Sequence, residues 1–158
     1  MSQIGVLLSG GFDPCHVGHL RMIQAAKAIR ANVTIALNSD GWLLRKKGYV
    51  FMPFNERKTI LQSIKGVVAV ETVDDSDGTV CEALIRLKPD FFAKGGDRTK
   101  HNTPEQEACS WLGISIIWDC GGGKTQASSK LVRDACNQLL EDALFPDKTA
   151  ECLYEHKK

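Results

Sequence analysis

The stretch SGGFDPCHVGHLRMI, residues 9–23, links an apolar run to an amphipathic segment through two adjacent glycines. The run before it, Ile4–Ser9, is almost continuously apolar, which is typical of a strand buried on both faces. After it, apolar side chains recur at helical spacing as far as Ile29, namely at Leu20, Ile23 and Ala26. The pattern therefore predicts a strand, a tight turn and a helix, the unit from which parallel sheets are built.

The rest of the chain repeats this alternation of strand and helix. Further strands are predicted at residues 33–37, 67–73, 90–96 and 114–119, and further helices at residues 54–64, 78–87, 103–112 and 128–144. In the helix at 103–112, Thr103 is the expected N-cap, Pro104 the first helical residue and Gln106 the partner in a capping box. We therefore expect an α/β domain over residues 1–144 with a five-stranded parallel sheet, followed by a polar C-terminal tail, 145–158.

Composition excludes several classes of function. The chain has 158 residues and a formal net charge of +1, so no charge bias indicates nucleic acid or a membrane as partner. The start of the sequence reads as a strand and lacks the basic residues of a signal peptide, and six cysteines form no Cys-x-x-Cys pair. These features predict a cytoplasmic protein with reduced thiols. Zinc bound by Cys15, His16 and His19 would lack a fourth ligand at suitable spacing, so no protein-bound metal is expected.

The first turn has the features of a phosphate site. Gly10 and Gly11 let the backbone approach a ligand closely, and the helix that follows directs its free N–H groups toward the same place. His16 and His19 lie about one helical turn apart and can both face that place. The alternative is an ordinary glycine turn with two surface histidines.

The decapeptide GGFDPCHVGH resembles the signature of the cytidylyltransferase-like nucleotidyltransferases, G-x-F-D-x-x-H-x-G-H, at every fixed position. Those positions are Gly10, Phe12, Asp13, His16, Gly18 and His19. The likeness continues through NSDGWLLRKKG, FNERKTIL and AKGGDR, and KGGD at residues 94–97 is similar to the adenylyltransferase half of ADP-heptose synthase. The resemblance implies a Rossmann-like three-layer fold with five parallel strands.

The resemblance also implies a reaction and a set of residues. A nucleoside triphosphate, accompanied by Mg²⁺, would react with a phosphorylated small molecule and release pyrophosphate. The implied catalytic residues are His16, His19 and Lys47, where Lys46 is the alternative register for the family lysine. The implied nucleotide-binding residues are Gly10, Gly11, Phe12, His16, Gly18, His19, Lys94, Gly96, Asp97, Lys124, Ser128 and Ser129. The implied substrate-binding residues are Asp13, Lys46, Arg57 and Arg98. Arg57 matches a family arginine that points at the phosphate site or holds the loop.

Several alternatives stay open at this stage. ATP with a sugar 1-phosphate is the expected pair of substrates, and CTP with glycerol 3-phosphate is the alternative. A regulator that binds nucleotide without turnover is the rival from another class. Gly123-Lys124-Thr125 looks like the end of a P-loop, but Trp118 occupies the place of its first glycine. The family resemblance further suggests a homodimer.

Overall fold

The computed structural model describes residues 5–95, 103–123 and 126–144. Five strands lie in this part of the chain: β1 (Val6–Gly10), β2 (Val33–Leu37), β3 (Val67–Thr72), β4 (Phe91–Ala93) and β5 (Ser115–Ile117). They form one sheet in the order β3-β2-β1-β4-β5, and each neighbouring pair is parallel. The predicted Rossmann-like five-stranded parallel sheet is confirmed.

Six helices accompany the strands within the described residues: α1 (Val17–Ile29), α2 (Asp40–Lys47), α3 (Phe54–Gln62), α4 (Cys81–Leu87), α5 (Pro104–Leu112) and α6 (Ser128–Leu144). The sequence pattern predicts all of these except α2. The Ser39 hydroxyl caps this helix by accepting the Trp42 N–H at 3.0 Å, and Gly48 ends it with φ at +82°. None of the helices among the described residues is long and apolar enough to cross a membrane.

The start of α5 departs from the sequence prediction. Pro104 is its first residue, as expected, but the Thr103 side chain makes no capping hydrogen bond. The predicted capping box with Gln106 is therefore wrong. The Thr103 hydroxyl instead accepts a hydrogen bond from Lys94 Nζ at 3.2 Å, so a tertiary partner has replaced the local one.

Side chains on β1 alternate between the two faces of the sheet. Val6 and Leu8 belong to a buried cluster with α1 and β2, and Leu7 belongs to a second cluster with α4 and α5. All three residues have no exposed surface. Helices therefore cover both faces of the sheet, which explains why β1 reads as one apolar run.

The strand order places a topological switch point between β1 and β4. From β1 the chain moves outward through β2 to β3, and it then crosses back to β4 on the other side of β1. Open α/β sheets bind ligands at the carboxyl ends of the strands beside such a point. Three glycine-containing turns meet there, after β1, after β4 and after β5.

Candidate active site

An open cleft of about 450 Å³ lies at the switch point. Most of the predicted site residues that the structure describes line it: Gly10, Gly11, Phe12, Asp13, His16, Gly18, His19, Lys46, Lys47, Ser128 and Ser129. Lys94 and Arg57 are described and lie outside its lining, as suits the second role implied for Arg57, that of holding the loop. The predictions for Gly96, Asp97, Arg98 and Lys124 fall outside the described residues.

His16 and His19 form a stacked pair at the start of α1. Their ring centroids are 3.8 Å apart with an interplanar angle of 22°. His16 Nδ1 accepts the Gly18 N–H at 3.1 Å, and His19 Nδ1 accepts the His16 N–H at 3.3 Å. Because each Nδ1 is an acceptor, the proton of each neutral ring is on Nε2. The capping box of α1 thus fixes the tautomer of both histidines and gives each ring an N–H of the kind that phosphate oxygens accept.

Two residues of the first turn support this pair by packing. Phe12 is buried with φ at +50°, and its ring lies 4.6 Å from that of His19, centroid to centroid. A Cβ at Gly11 would lie 2.6 Å from Leu43 Cδ2, so α2 approaches the turn at a distance that only glycine allows. Phe12 therefore acts on the site chiefly by supporting the His19 ring.

Asp13 has protein partners for both of its oxygens. The carboxylate is buried and accepts the N–H groups of Phe51 and Met52 at 2.8 and 2.6 Å. Lys47 Nζ lies 2.9 Å from its Oδ2 and also donates to the Asp13 carbonyl at 2.7 Å. Burial opposes ionisation of Asp13, but the two N–H donors and Lys47 together hold its pKa below the ordinary value of 3.8. The structure therefore shows Asp13 as the residue that positions Lys47, where sequence predicted a substrate contact.

Arg57 holds the loops around the cleft, which is one of the two roles that the resemblance implies for it. Its side chain has no exposed surface. The guanidinium donates to the carbonyls of Met52, Gly11 and Asn38 at 2.9, 2.7 and 3.0 Å, and to the Asp40 carboxylate at 2.6 Å. A substrate contact does not fit this burial. Arg57 instead joins the turns after β1 and β2 to the segment before α3.

Lys94 was predicted to bind nucleotide, yet its side chain is buried beside α5. Its Nζ lies 3.8 Å from Glu105 Oε2 and 5.4 Å from the ring centroids of Phe92 and Trp118. The backbone of Lys94 joins β4 to β5, because its N–H donates to the Ile117 carbonyl. The side chain therefore holds α5 against the sheet rather than facing the cleft.

The wall of the cleft formed by α2 carries an aromatic ring and a cation. Trp42 donates its Nε1–H to the Gly78 carbonyl at 3.4 Å, and Lys46 Nζ lies 4.3 Å from the centroid of the Trp42 ring. Both side chains line the cleft. Lys46 is thus placed separately from Lys47, which Asp13 holds.

The start of α6 closes the cleft on another side. The Ser128 hydroxyl donates to the Pro14 carbonyl at 2.9 Å, which ties the start of α6 to the turn that carries the histidines. Ser129 also lines the cleft and is exposed. The helix N-terminus therefore lies beside the N-terminus of α1, and both favour an anion between them.

The donor set fits a metal carried by the substrate rather than one bound by the protein. No group of three or more His, Cys, Asp and Glu side chains among the described residues could hold a metal ion. Asp13 is the only acid among the described residues that line the cleft, and its oxygens are already occupied. Mg²⁺ commonly keeps several waters and binds substrate phosphates, which needs no protein cage.

Sequence reasoning missed several residues that line the cleft. These are Arg21, Met22, Trp42, Leu43, Gly95, Cys120, Gly121 and Gln126. The glycine turn after β5 also contacts α1, and no sequence pattern predicted this contact. A Cβ at Gly121 would lie 2.7 Å from Met22 Cα, so this turn rests directly on the α1 backbone. Arg21 follows Gly18 by three residues, a spacing that could have indicated a shared helix face.

Comparison with known proteins agrees with this geometry. The family model described as cytidylyltransferase-like matches residues 7–117, which include the histidine pair, β2 to β5 and all of β1 except Val6. The chain belongs to the cytidylyltransferase-like family.

The chain is also similar to part of a longer bifunctional protein. It is 35% identical over 116 residues to the bifunctional protein HldE of Hyphomonas neptunium, which covers 72% of this chain and 22% of that protein. It is 37% identical over 93 residues to HldE of Wolinella succinogenes, covering 58% of this chain and 19% of that protein. The chain thus spans about a fifth of the length of these relatives.

A solved structure shares the fold. The lipopolysaccharide core biosynthesis protein from Thermoplasma volcanium aligns with a TM-score of 0.63 at 21% identity, over 74% of this chain and 94% of that one. A protein of unknown function from Archaeoglobus fulgidus aligns with a TM-score of 0.56 at 17% identity, over 78% and 96%.

Proposed function

We propose that the chain is a nucleotidyltransferase that joins the nucleoside monophosphate part of a triphosphate to a sugar phosphate and releases pyrophosphate. The observation that carries the proposal is the stacked His16–His19 pair, whose tautomers are fixed by α1, in a cleft at the switch point of the sheet. Family membership and the HldE relatives support it.

The reaction needs positioning and charge neutralisation rather than a protein nucleophile. An oxygen of the acceptor phosphate attacks the α-phosphorus and forms the new P–O bond. The bond from the α-phosphorus to the bridging oxygen breaks, and its electron pair leaves with pyrophosphate. Donors aimed at oxygens that gain charge lower this barrier, and the Nε2–H groups of His16 and His19 are suited to that role. Mg²⁺ bound to the phosphates supplies further charge neutralisation.

Lys47 fits the α-phosphate because an ammonium group has three donors. Two of them are directed at the Asp13 carboxylate and carbonyl. The third can reach a phosphate in the cleft that Lys47 lines. Asp13 then fixes the position of Lys47, and we assign Lys46, on the α2 wall, to the phosphate of the acceptor.

The test replaces each histidine and measures pyrophosphate release. His16→Asn keeps a good N-cap for α1 but lacks the ring N–H, and His19→Ala removes the second donor. Each change should lower kcat by about 100-fold or more, the scale of losing one transition-state donor. Unfolding midpoints in urea serve as the control for folding. Activity near that of the wild type in both variants would rule out this role.

The identity of the substrates is tested with the same assay. We propose ATP and a sugar 1-phosphate, on the likeness of KGGD to the heptose adenylyltransferases. ATP and CTP at equal concentration are compared with a sugar 1-phosphate and with glycerol 3-phosphate as acceptor. A preference for CTP and glycerol 3-phosphate would support the alternative pair. Triphosphate binding without pyrophosphate release from any pair would support a nucleotide-binding regulator.

A further inference from the structure

We propose that Arg21 is a further nucleotide-binding residue that neutralises the phosphate chain of the triphosphate; this rests on the proposed function. Arg21 lines the cleft from α1 and is exposed. Among the described residues it has no hydrogen bond or ion pair that would hold it elsewhere. Its role follows from the charges of the cleft and from the wall on which it lies.

Two cations besides Lys47 line the cleft, where two anionic substrates would bind. The charged side chains among its described lining residues are Asp13, Arg21, Lys46 and Lys47. Asp13 and Lys47 form an ion pair at 2.9 Å, so the charge of one offsets that of the other. Arg21 has no such partner among the described residues and therefore adds positive charge to this part of the cleft, which Lys46 also lines. The triphosphate and the acceptor phosphate both need neutralisation there.

The two cations lie on opposite walls. Lys46 is on α2, which follows β2 on one side of β1. Arg21 is on α1 where the backbone meets Gly121, and Gly121 follows β5 on the other side of β1. A Cβ at Gly121 would lie 3.1 Å from the Arg21 carbonyl carbon, so the two segments are in direct contact.

The wall of Arg21 is the one that suits the triphosphate. The segment that begins at Gly121 continues to Ser128, which bonds to Pro14 beside the histidines. Gly121 therefore contacts α1 at Arg21 and Met22, and Ser128 holds the N-terminus of α6 beside the turn that carries the histidines. Two helix N-termini and a guanidinium then surround one region, and the more highly charged substrate gains most from it. Arg21 is accordingly assigned to the triphosphate and Lys46 to the acceptor.

Direct titration of nucleotides separates this role from a contact with base or ribose. The wild type is first titrated with ATP and with CTP to find which it binds more tightly. That triphosphate and its own monophosphate are then titrated into the wild type, Arg21→Ala, Arg21→Lys and Arg133→Ala. Arg133 is an exposed arginine outside the cleft and is the matched control. Arg21→Ala should raise the Kd of the triphosphate about tenfold and leave that of the monophosphate nearly unchanged. Arg21→Lys should recover most of the loss, and Arg133→Ala should change neither Kd.

Kinetics of the same variants test the assignment of the walls. Arg21→Ala should raise KM for the triphosphate and leave KM for the acceptor unchanged, and Lys46→Ala should do the reverse. An unchanged triphosphate Kd, an equal loss for the monophosphate, or a raised acceptor KM in Arg21→Ala would overturn the inference and leave the proposed function standing. A wild type that binds neither ATP nor CTP would overturn both.

Discussion

Replacing Arg57 should cost more stability than replacing any surface arginine of this chain. Arg57→Ala leaves the carbonyls of Gly11, Asn38 and Met52 without the donor they have now. A buried acceptor that loses its donor costs roughly 1–3 kcal/mol. The side chain of Asp40 is 42% exposed, so water can replace its partner and it adds little. Water that enters the space left by the side chain can hydrogen-bond to these carbonyls and so recovers part of the lost stability. We expect a net decrease of about 3–5 kcal/mol in the free energy of unfolding.

Arg57→Lys separates charge from geometry. Lysine keeps the positive charge, but its three donors share one nitrogen and cannot span the carbonyls of Met52, Gly11 and Asn38 as the planar guanidinium does. We expect a loss of about 2 kcal/mol or more, because at least one of these acceptors stays unpaired. A partial loss in Arg57→Lys also keeps the test decisive if Arg57→Ala fails to fold.

Urea unfolding measures these losses by linear extrapolation, with the m-value as a check on two-state behaviour. Arg30→Ala is the matched control, since Arg30 is 58% exposed and forms an ion pair with Asp90 at 3.7 Å. Exposed pairs of this kind contribute roughly 0–1 kcal/mol. A loss below about 1 kcal/mol for Arg57→Ala at unchanged m-value would refute the reasoning, because the three carbonyls would then not depend on Arg57.

Two further changes test the loops around the cleft. Asp13→Asn should lower the free energy of unfolding at about pH 7 and have less effect near pH 3. The pKa of Asp13 in the folded protein is below its ordinary value of 3.8. The carboxylate therefore stabilises the fold above pH 3.8, and this stabilisation is lost as the pH falls through the folded pKa. Urea midpoints at both pH values check this, and a difference that stays constant would contradict it. Gly121→Ala should lower the free energy of unfolding more than Gly48→Ala. The backbone strain is similar in the two variants, because φ is +89° at Gly121 and +82° at Gly48. Only at Gly121 would the new Cβ meet a neighbour, Met22 Cα at 2.7 Å. Equal urea midpoints for the two variants would show that the contact with α1 is not tight.

The order of strands and helices could be predicted because apolar patterning on this chain agrees with local propensity. β2 and α6 have the predicted bounds, Val33–Leu37 and Ser128–Leu144. The missed helix, α2, shows where such patterning fails: it has eight residues and one buried side chain, Leu43, so it has no apolar period to detect. Its signals were the cap residues Ser39 and Gly48.

The buried position of the Lys94 side chain has a physical reason that the sequence already contained. Side chains along a strand alternate between its faces, so Lys94 shares a face with Phe92 and not with Ala93. Phe92 is buried in the cluster beneath α4 and α5, and Lys94 therefore points toward α5, where Glu105 lies. The family string KGGD could not show the direction of this side chain.

The partners of Asp13 and Arg57 could not be predicted because they are distant in sequence. Asp13 bonds to residues 38 and 39 positions away, and Arg57 bonds to a carbonyl 46 positions away. Aspartate and arginine are usually exposed, so from the sequence alone a contact with substrate is a more natural prediction for them than burial. Only the fold shows that the turn after β1 contacts the segment before α3 through Asp13 and contacts α3 through Arg57.

The buried charges around the cleft have a consequence for the rate as well as for stability. Asp13 holds Lys47, and Arg57 holds the Gly11 carbonyl in the same turn that carries the histidine pair. Donors that are fixed before the substrate arrives need no reorganisation in the transition state, and a shift of about 1 Å costs on the order of 100-fold in rate. Arg57→Lys should therefore lower kcat even at temperatures where the variant is fully folded, although Arg57 touches no substrate. Arg21→Ala should weaken triphosphate binding without that loss of stability. The two arginines thus separate the support of the site from the binding of its ligand.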